Sequence, residues 1–165
     1  MSGSDIYDYF DTLQLYGDAG PPGYVVFNNV DYQNETNLEQ MELIDAELAA
    51  LNNTILSPIY SWVTPFKNFL SDGEQKTACG SEAAWKLSFD DQLRAFSQIK
   101  VTSQCCQKYG ICGEQYSLDI VFNDEGKVET TRFRFMHKPM KTQEDYIAGL
   151  VETRKATDIF KSRLT

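Results

Sequence analysis

The chain has little of what most active sites are made from. It carries a single histidine, His137, in 165 residues. Imidazole is the side chain that exchanges protons near neutral pH, and catalytic triads and most dyads set it beside a nucleophile. His137 stands between Met136 and Lys138 with no Ser or Cys adjacent, so a polar strand-end role is the expectation. No glycine-rich phosphate loop occurs: Gly20-Pro21-Pro22-Gly23 precedes an apolar run and lacks a Gly-Lys-Ser/Thr ending. Basic charge is also scarce. With 15 Lys and Arg against 24 Asp and Glu, the formal net charge is -9. That argues against nucleic acid as a partner, because phosphate binding needs a basic surface, and it disfavours attraction to anionic lipid. No stretch approaches the roughly 18 to 20 apolar residues that span a bilayer. Met1-Ser2-Gly3-Ser4 lacks the basic start and apolar run of a signal peptide. Residues 1–4 read as a leader or disordered segment, and the chain as a soluble piece excised from a longer protein.

What is present is globular. The chain is 42% hydrophobic and 13% aromatic, enough to bury one sizeable core, so residues 5–165 are expected to form a single domain. Four cysteines, Cys79, Cys105, Cys106 and Cys112, fit two disulfides with three possible connectivities. Neighbouring cysteines rarely bond to each other, since the eight-membered ring strains the peptide. Cys105 and Cys106 therefore pair outward, with Cys79 and Cys112 in an order left open. Structural zinc favours cysteines two to four residues apart, which this spacing fits badly. Two N-x-Thr sequons, at Asn34 and Asn52, are candidate glycosylation sites. Disulfides and sequons together point to a lumenal or extracellular compartment.

Periodicity places the elements. Ser4–Tyr16 reads as a short helix with Ile6, Tyr9, Phe10 and Leu13 on one face. Tyr24–Phe27 is a short apolar run expected as a central strand. Leu38–Asn52 is the clearest helix, with Leu38, Met41, Ile44, Leu48 and Leu51 in one stripe and Asn37 as its cap. Ser57-Pro58 looks like the start of a second helix, with Pro at the first turn and a bend at Pro65. Residues 79–113 form a cysteine-bearing loop region, interrupted by an extended piece after Ser81 and a helix from Phe89 or Asp90.

Cys112–Pro139 reads as a β-hairpin. Leu118, Ile120 and Phe122 share one face, Asn123–Gly126 supplies the turn, and Thr131, Phe133 and Phe135 face away from Arg132 and Arg134. The alternating arginines fit an exposed sheet face. Thr142 then caps a last helix, answered by Asp145, with Ile147, Leu150, Val151, Ile159 and Phe160 as its buried stripe. The order gives an α+β fold: a ferredoxin-like split β-α-β-β-α, with helices on one face of a small antiparallel sheet and the final strand missing. No catalytic residue, metal ligand or cofactor site is assigned, and ligand-binding residues stay unassigned.

Several stretches, in order, resemble a known family. Asp5–Phe10 followed by Gly20-Pro21-Pro22-Gly23-Tyr24-Val25-Val26 resembles the start of the second large lumenal domain of Niemann–Pick type C sterol transporters. Ser57–Trp62 with Phe66 and Phe69, the pair Cys105-Cys106, Cys112-Gly113, Thr131–Arg134 with His137, and Thr142–Ile147 are similar to later parts of that domain. The resemblance implies a non-catalytic lumenal domain of a sterol or lipid transporter, related to Patched and to resistance-nodulation-division pumps. The full-length protein would sit in an endolysosomal, vacuolar or plasma membrane. Its implied partners are a sister lumenal domain, a sterol or other lipid, and a soluble sterol-carrier protein. The alternatives are a Patched-like extracellular domain that binds a protein ligand, and a secreted binding module. The cysteine loop is shorter than in animal members, and the chain stops where the family has another strand.

Overall fold

The computed structural model describes residues 17, 19–71, 73–161 and 164, with backbone alone at 159 and 160. The helix expected over Ser4–Tyr16 lies outside the described residues.

The protein is a mixed α+β fold around a four-strand antiparallel sheet. Strand β1 (Pro22–Asn28) is followed by helix α1 (Glu35–Ala50), strand β2 (Ile55–Tyr60) and helix α2 (Val63–Leu70). Short helices α3 (Gln75–Cys79), α4 (Ser81–Ala84), α5 (Phe89–Ser97) and α6 (Gln104–Tyr109) come next. A 3-10 turn, Gly113–Tyr116, leads to β3 (Ile120–Phe122), β4 (Val128–His137) and helix α7 (Gln143–Lys161). β4 is the central strand. One of its edges pairs with β1 along its length, from Met136 opposite Pro22 to Thr130 opposite Asn28. Its other edge is shared end to end: β3 pairs near Thr131 and β2 pairs from Arg134 to His137. The order β1, α1, β3, β4, α7 follows the expected split β-α-β-β-α, with β2 and the short helices inserted. β1 is not the central strand its apolar run suggested. Among the described residues its outer edge has no strand partner, and Tyr24 and Val26 are exposed.

The hairpin forms as its turn chemistry dictates. Asn123 Oδ1 accepts from the backbone N–H groups of Glu125 and Lys127, and Gly126 adopts φ 81°, which a side chain would disfavour. Leu118 is a correction: it lies in a turn before β3 and is 81% exposed. Thr131, Phe133 and Phe135 face inward, as alternation requires. The core lies between this face and the helices. Phe133 meets Phe27 edge-on at 4.7 Å, and Phe66 touches Trp62, Phe89 and Phe96 within 5.9 Å. Fully burying each such ring contributes on the order of 1.5–3 kcal/mol.

Helix α1 buries Leu38, Met41, Ile44 and Leu48 as its stripe requires, but its cap is Asn34. Asn34 Oδ1 accepts the Thr36 N–H, while Asn37 is buried inside the first turn and donates to the Asp31 carbonyl. The Ser57-Pro58 helix start is overturned. These residues lie in β2, an edge strand whose pairing slips between Leu56 and Tyr60. An edge irregularity tolerates proline because no ladder N–H is needed there. The proline that opens the helix is Pro65, inside the first turn of α2.

The region 79–113 is not loop but a series of short helices. Ser103 Oγ accepts from Cys106 N and starts α6, and Gly110 ends it at φ 71°. Gly80, at φ 67°, separates α3 from α4, where an extended piece was expected. The predicted start at Phe89 holds, capped by Ser88. The disulfides resolve the open pairing: Cys79 joins Cys105, and Cys106 joins Cys112.

Helix α7 departs most from its pattern. Its capping box forms as expected: Asp145 N–H donates to Thr142 Oγ1, and Thr142 N–H donates to Asp145 Oδ2. Yet Ile147, Leu150 and Val151 are about half exposed, while Gly149 and Ala156 are buried. Side chains of the domain fill the space beside Gly149. A Cβ at Gly149 would run into Met140 Cε. On the same face Glu152 Oε2 accepts a 2.7 Å hydrogen bond from Thr54 Oγ1. The Met140 and His137 side chains packed at Gly149 and the Thr54–Glu152 bond lie on the inward face, and the larger apolar residues lie outside it.

Candidate functional site: the open face of the sheet

Among the described residues, the helices cover one face of the sheet and leave the other exposed. A strand sends alternate side chains to opposite faces, so Arg132 and Arg134 emerge together on the open side. Tyr24 stands opposite Arg134, and Val26 opposite Arg132. Tyr60, on β2, also stands opposite Arg134. Each guanidinium lies over a ring: Arg132 is 4.9 Å from the Tyr24 centroid, and Arg134 is 5.2 Å from that of Tyr60. Tyr24, Val26, Tyr60 and Val121 remain exposed.

One carboxylate organises the arginines. Asp119 precedes β3, and its side chain is 0% exposed. Oδ1 accepts from Arg132 Nε and Oδ2 from Arg134 Nε, both at 2.7 Å. The backbone pairs as well, since Arg132 N–H donates to the Asp119 carbonyl. Arg134 Nη2 donates to the Gln115 carbonyl. Burying a carboxylate is costly, and two charge-assisted bonds offset that cost. Two cations around one anion leave the cluster with one net positive charge, on a chain whose net charge is -9. The guanidiniums are about one-third exposed, so they are held in place and still reach solvent. The arrangement presents two tyrosine rings and two oriented guanidiniums side by side, a set suited to binding.

The other candidate residues fall elsewhere. His137 ends β4 on the helix side, with Nδ1 3.3 Å from the Thr54 carbonyl and its ring edge-on to Phe135. Burial lowers its pKa from the ordinary histidine value. All four cysteines are tied in disulfides, so none offers a thiolate. An open hollow of about 400 Å³ beside Cys79–Cys105 is lined by Gln98, Ile99, Lys100 and Ser103, with no paired acid and base. Asn52 is exposed in the turn after α1. Asn34 is half-buried at the helix cap, but capping uses its Oδ1 and leaves its Nδ2, the atom a glycan bonds to, uncommitted to the cap.

Sequence reasoning placed Arg132 and Arg134 on an exposed face and stopped there. It missed Asp119 as their shared anchor, and Tyr24 and Tyr60 as their stacking partners. The signal for Asp119 was present, since it falls on the polar side of the same hairpin. Nothing local pointed to the tyrosines, which arrive from β1 and β2.

No protein-family model matches the chain.

Proposed function

We propose that this chain is a non-catalytic lumenal or extracellular domain of a membrane sterol or lipid transporter of the Niemann–Pick type C and Patched kind, and that its open sheet face packs on a sister domain along the sterol route. The observation that carries the reading is the open face itself. Tyr24 and Tyr60 are exposed, and the partly exposed Arg132 and Arg134 that lie over their rings are fixed by the buried Asp119. Tyr and Arg are the residues that dominate protein interfaces, and fixing them beforehand reduces the entropy lost on docking. Two disulfides suit an oxidising compartment. No helix among the described residues is long and apolar enough to cross a membrane, so in this reading the membrane anchor belongs to other parts of the protein. The ordered sequence resemblance supplies the transporter setting and the sterol.

A photo-crosslinkable sterol applied to the full-length protein tests it. Saturable labelling that unlabelled sterol competes away, and that the Y24A/Y60A double variant reduces severalfold, supports the proposal. Intact, folded protein that is never saturably labelled overturns it. The Tyr–Arg character of the face also favours a second reading, a Patched-like surface for a protein ligand. There the same variant would leave sterol labelling unchanged and abolish capture of that ligand.

A further inference from the structure

Helix α7 turns two unlike faces in opposite directions. The inner one, Gly149, Glu152 and Ala156, packs on the domain, where Glu152 bonds Thr54. The outer one carries Tyr146, Ile147, Leu150 and Val151, exposed at 43%, 54%, 50% and 42%. These four sit at i, i+1, i+4 and i+5, so they form one continuous apolar stripe. Apolar residues scattered singly are ordinary surface, but a contiguous patch rimmed by charge marks a docking surface. Charge is segregated along this one. Gln143 and Glu144 lie one turn before the apolar block and Arg154 and Lys155 one turn after it, all exposed.

We propose that a second copy of the chain docks on this face, its α7 antiparallel to the first and related to it by a two-fold axis. The order of the residues carries that choice of occupant. The apolar block is centred between Ala148 and Gly149. Reversing the helix about that point exchanges Ile147 with Leu150, Tyr146 with Val151 and Gln143 with Arg154. Each apolar side chain therefore meets an apolar one, and each Arg154 meets an amide. Glu144 falls about 3 Å along the axis from the second copy's Lys155, a two-residue offset at about 1.5 Å per residue. At about 100° per residue, Glu144 and Lys155 stand on the same flank of the stripe, and antiparallel packing brings equal flanks together. Helical side chains lean toward their own N-terminus, so the carboxylate and the ammonium lean toward each other. A parallel pair would instead set Glu144 beside Glu144 and Lys155 beside Lys155, which like charge opposes. A self-complementary patch closes on itself, and the result is a dimer. Each copy has a formal net charge of -9. Salt at about 0.15 M screens that repulsion beyond roughly 8 Å, while the paired ends approach more closely than this.

Sedimentation velocity on the full 165-residue chain tests this. The range runs from about 5 to about 500 µM, because so small an interface makes a weak dimer. The wild-type sedimentation coefficient should rise with concentration toward that of a dimer. E144K and K155E change exposed positions, and circular dichroism checks that each variant stays folded. Alone, each sets like charges at both ends of the stripe and should weaken self-association at least about tenfold. Mixed one to one, they should form a heterodimer within about threefold of the wild-type affinity, because each supplies the charge the other lacks. I147D/L150D should stay monomeric throughout, and Y24A/Y60A, on the open sheet face, should dimerise as wild type does. A wild-type chain still monomeric at about 500 µM overturns the proposal, as do dimers that I147D/L150D leaves intact. Dimers lost in folded Y24A/Y60A overturn it too, because they place the contact on the sheet. Charge variants that gain nothing on mixing also overturn it, because they set the helices in another orientation.

Discussion

Asp119 Oδ2 accepts a 2.7 Å hydrogen bond from Arg134 Nε, and the carboxylate is shut off from solvent while the guanidinium is not. The burden of this pair is therefore lopsided. Losing the arginine leaves one oxygen of a buried carboxylate unpaired, whereas losing the aspartate lets a partly exposed cation turn to water. R134A, which leaves Arg132 in place, should cost about 1.5–3 kcal/mol, the range for hydrogen bonds to charged groups. R132A/R134A should cost more, about 3–5 kcal/mol, because nothing then pairs the carboxylate. Replacing all three with apolar residues, as D119L/R132M/R134M, should recover much of that loss. Urea midpoints of the three variants decide the point. Equal midpoints for single and double arginine variants would mean the carboxylate is not buried as described.

His137 makes stability fall on mild acidification. Burial lowers its folded pKa below the ordinary 6.5, and the Thr54 carbonyl only partly counters this. The unfolded chain therefore takes up the proton first as pH drops through 6.5. Where the unfolded state binds more protons, stability rises with pH, so acid destabilises the fold until the folded pKa is reached. Thermal midpoints should drop between pH 7.5 and 5.5 in wild type and drop less in H137Q. A histidine resonance titrating above 6.5 in the folded protein would contradict this.

The two disulfides should contribute unequally. Cys79–Cys105 closes a loop with a sequence separation of 26, and Cys106–Cys112 one of 6. Chain-entropy reasoning gives about 3.5 kcal/mol for the longer loop and about 2 kcal/mol for the shorter. The buried Cys105 adds to the cost of losing the first bridge. Paired serine substitutions followed by calorimetry should rank them in that order. Non-reducing peptide maps should recover these two links and no others.

Gly113 has no room for a side chain. A Cβ there would collide with the Phe96 carbonyl oxygen, which is backbone and cannot rotate aside. The neighbouring Glu114 N–H also donates to the Ile99 carbonyl, so the turn is fixed against the end of α5. G113A should destabilise by about 1–3 kcal/mol through overpacking. At Gly110 nothing lies within 4 Å of where a Cβ would stand, so G110A meets only the left-handed backbone at φ 71°. Denaturation midpoints should place G113A below G110A.

Much of the fold was legible because some signals are local. The α1 stripe of Leu38, Met41, Ile44 and Leu48 is set by helical periodicity. The Asn123–Gly126 turn is set by side chains that bond their own backbone, and the Thr142–Asp145 box works in the same way. These features need no distant partner. The failures share the opposite property. Ser57-Pro58 carries the chemistry of both a helix start and an edge-strand irregularity, and pairing with β4 selected the second. In residues 79–113, the helix between the caps at Ser103 and Gly110 is only six residues long, too short for an apolar stripe to repeat.

By itself, the sequence determined the alternation of β4, the hairpin turn, the α1 core stripe and the presence of paired cysteines. Each follows from backbone geometry or from residues a few positions apart. Only the tertiary structure decided that Asp119 bridges two arginines, that Tyr24 and Tyr60 stack on them, and that α7 turns its small face inward. Those outcomes depend on which elements approach one another and how closely. At Gly149 the Met140 side chain and the His137 ring, which come from outside the helix, pack on the buried face.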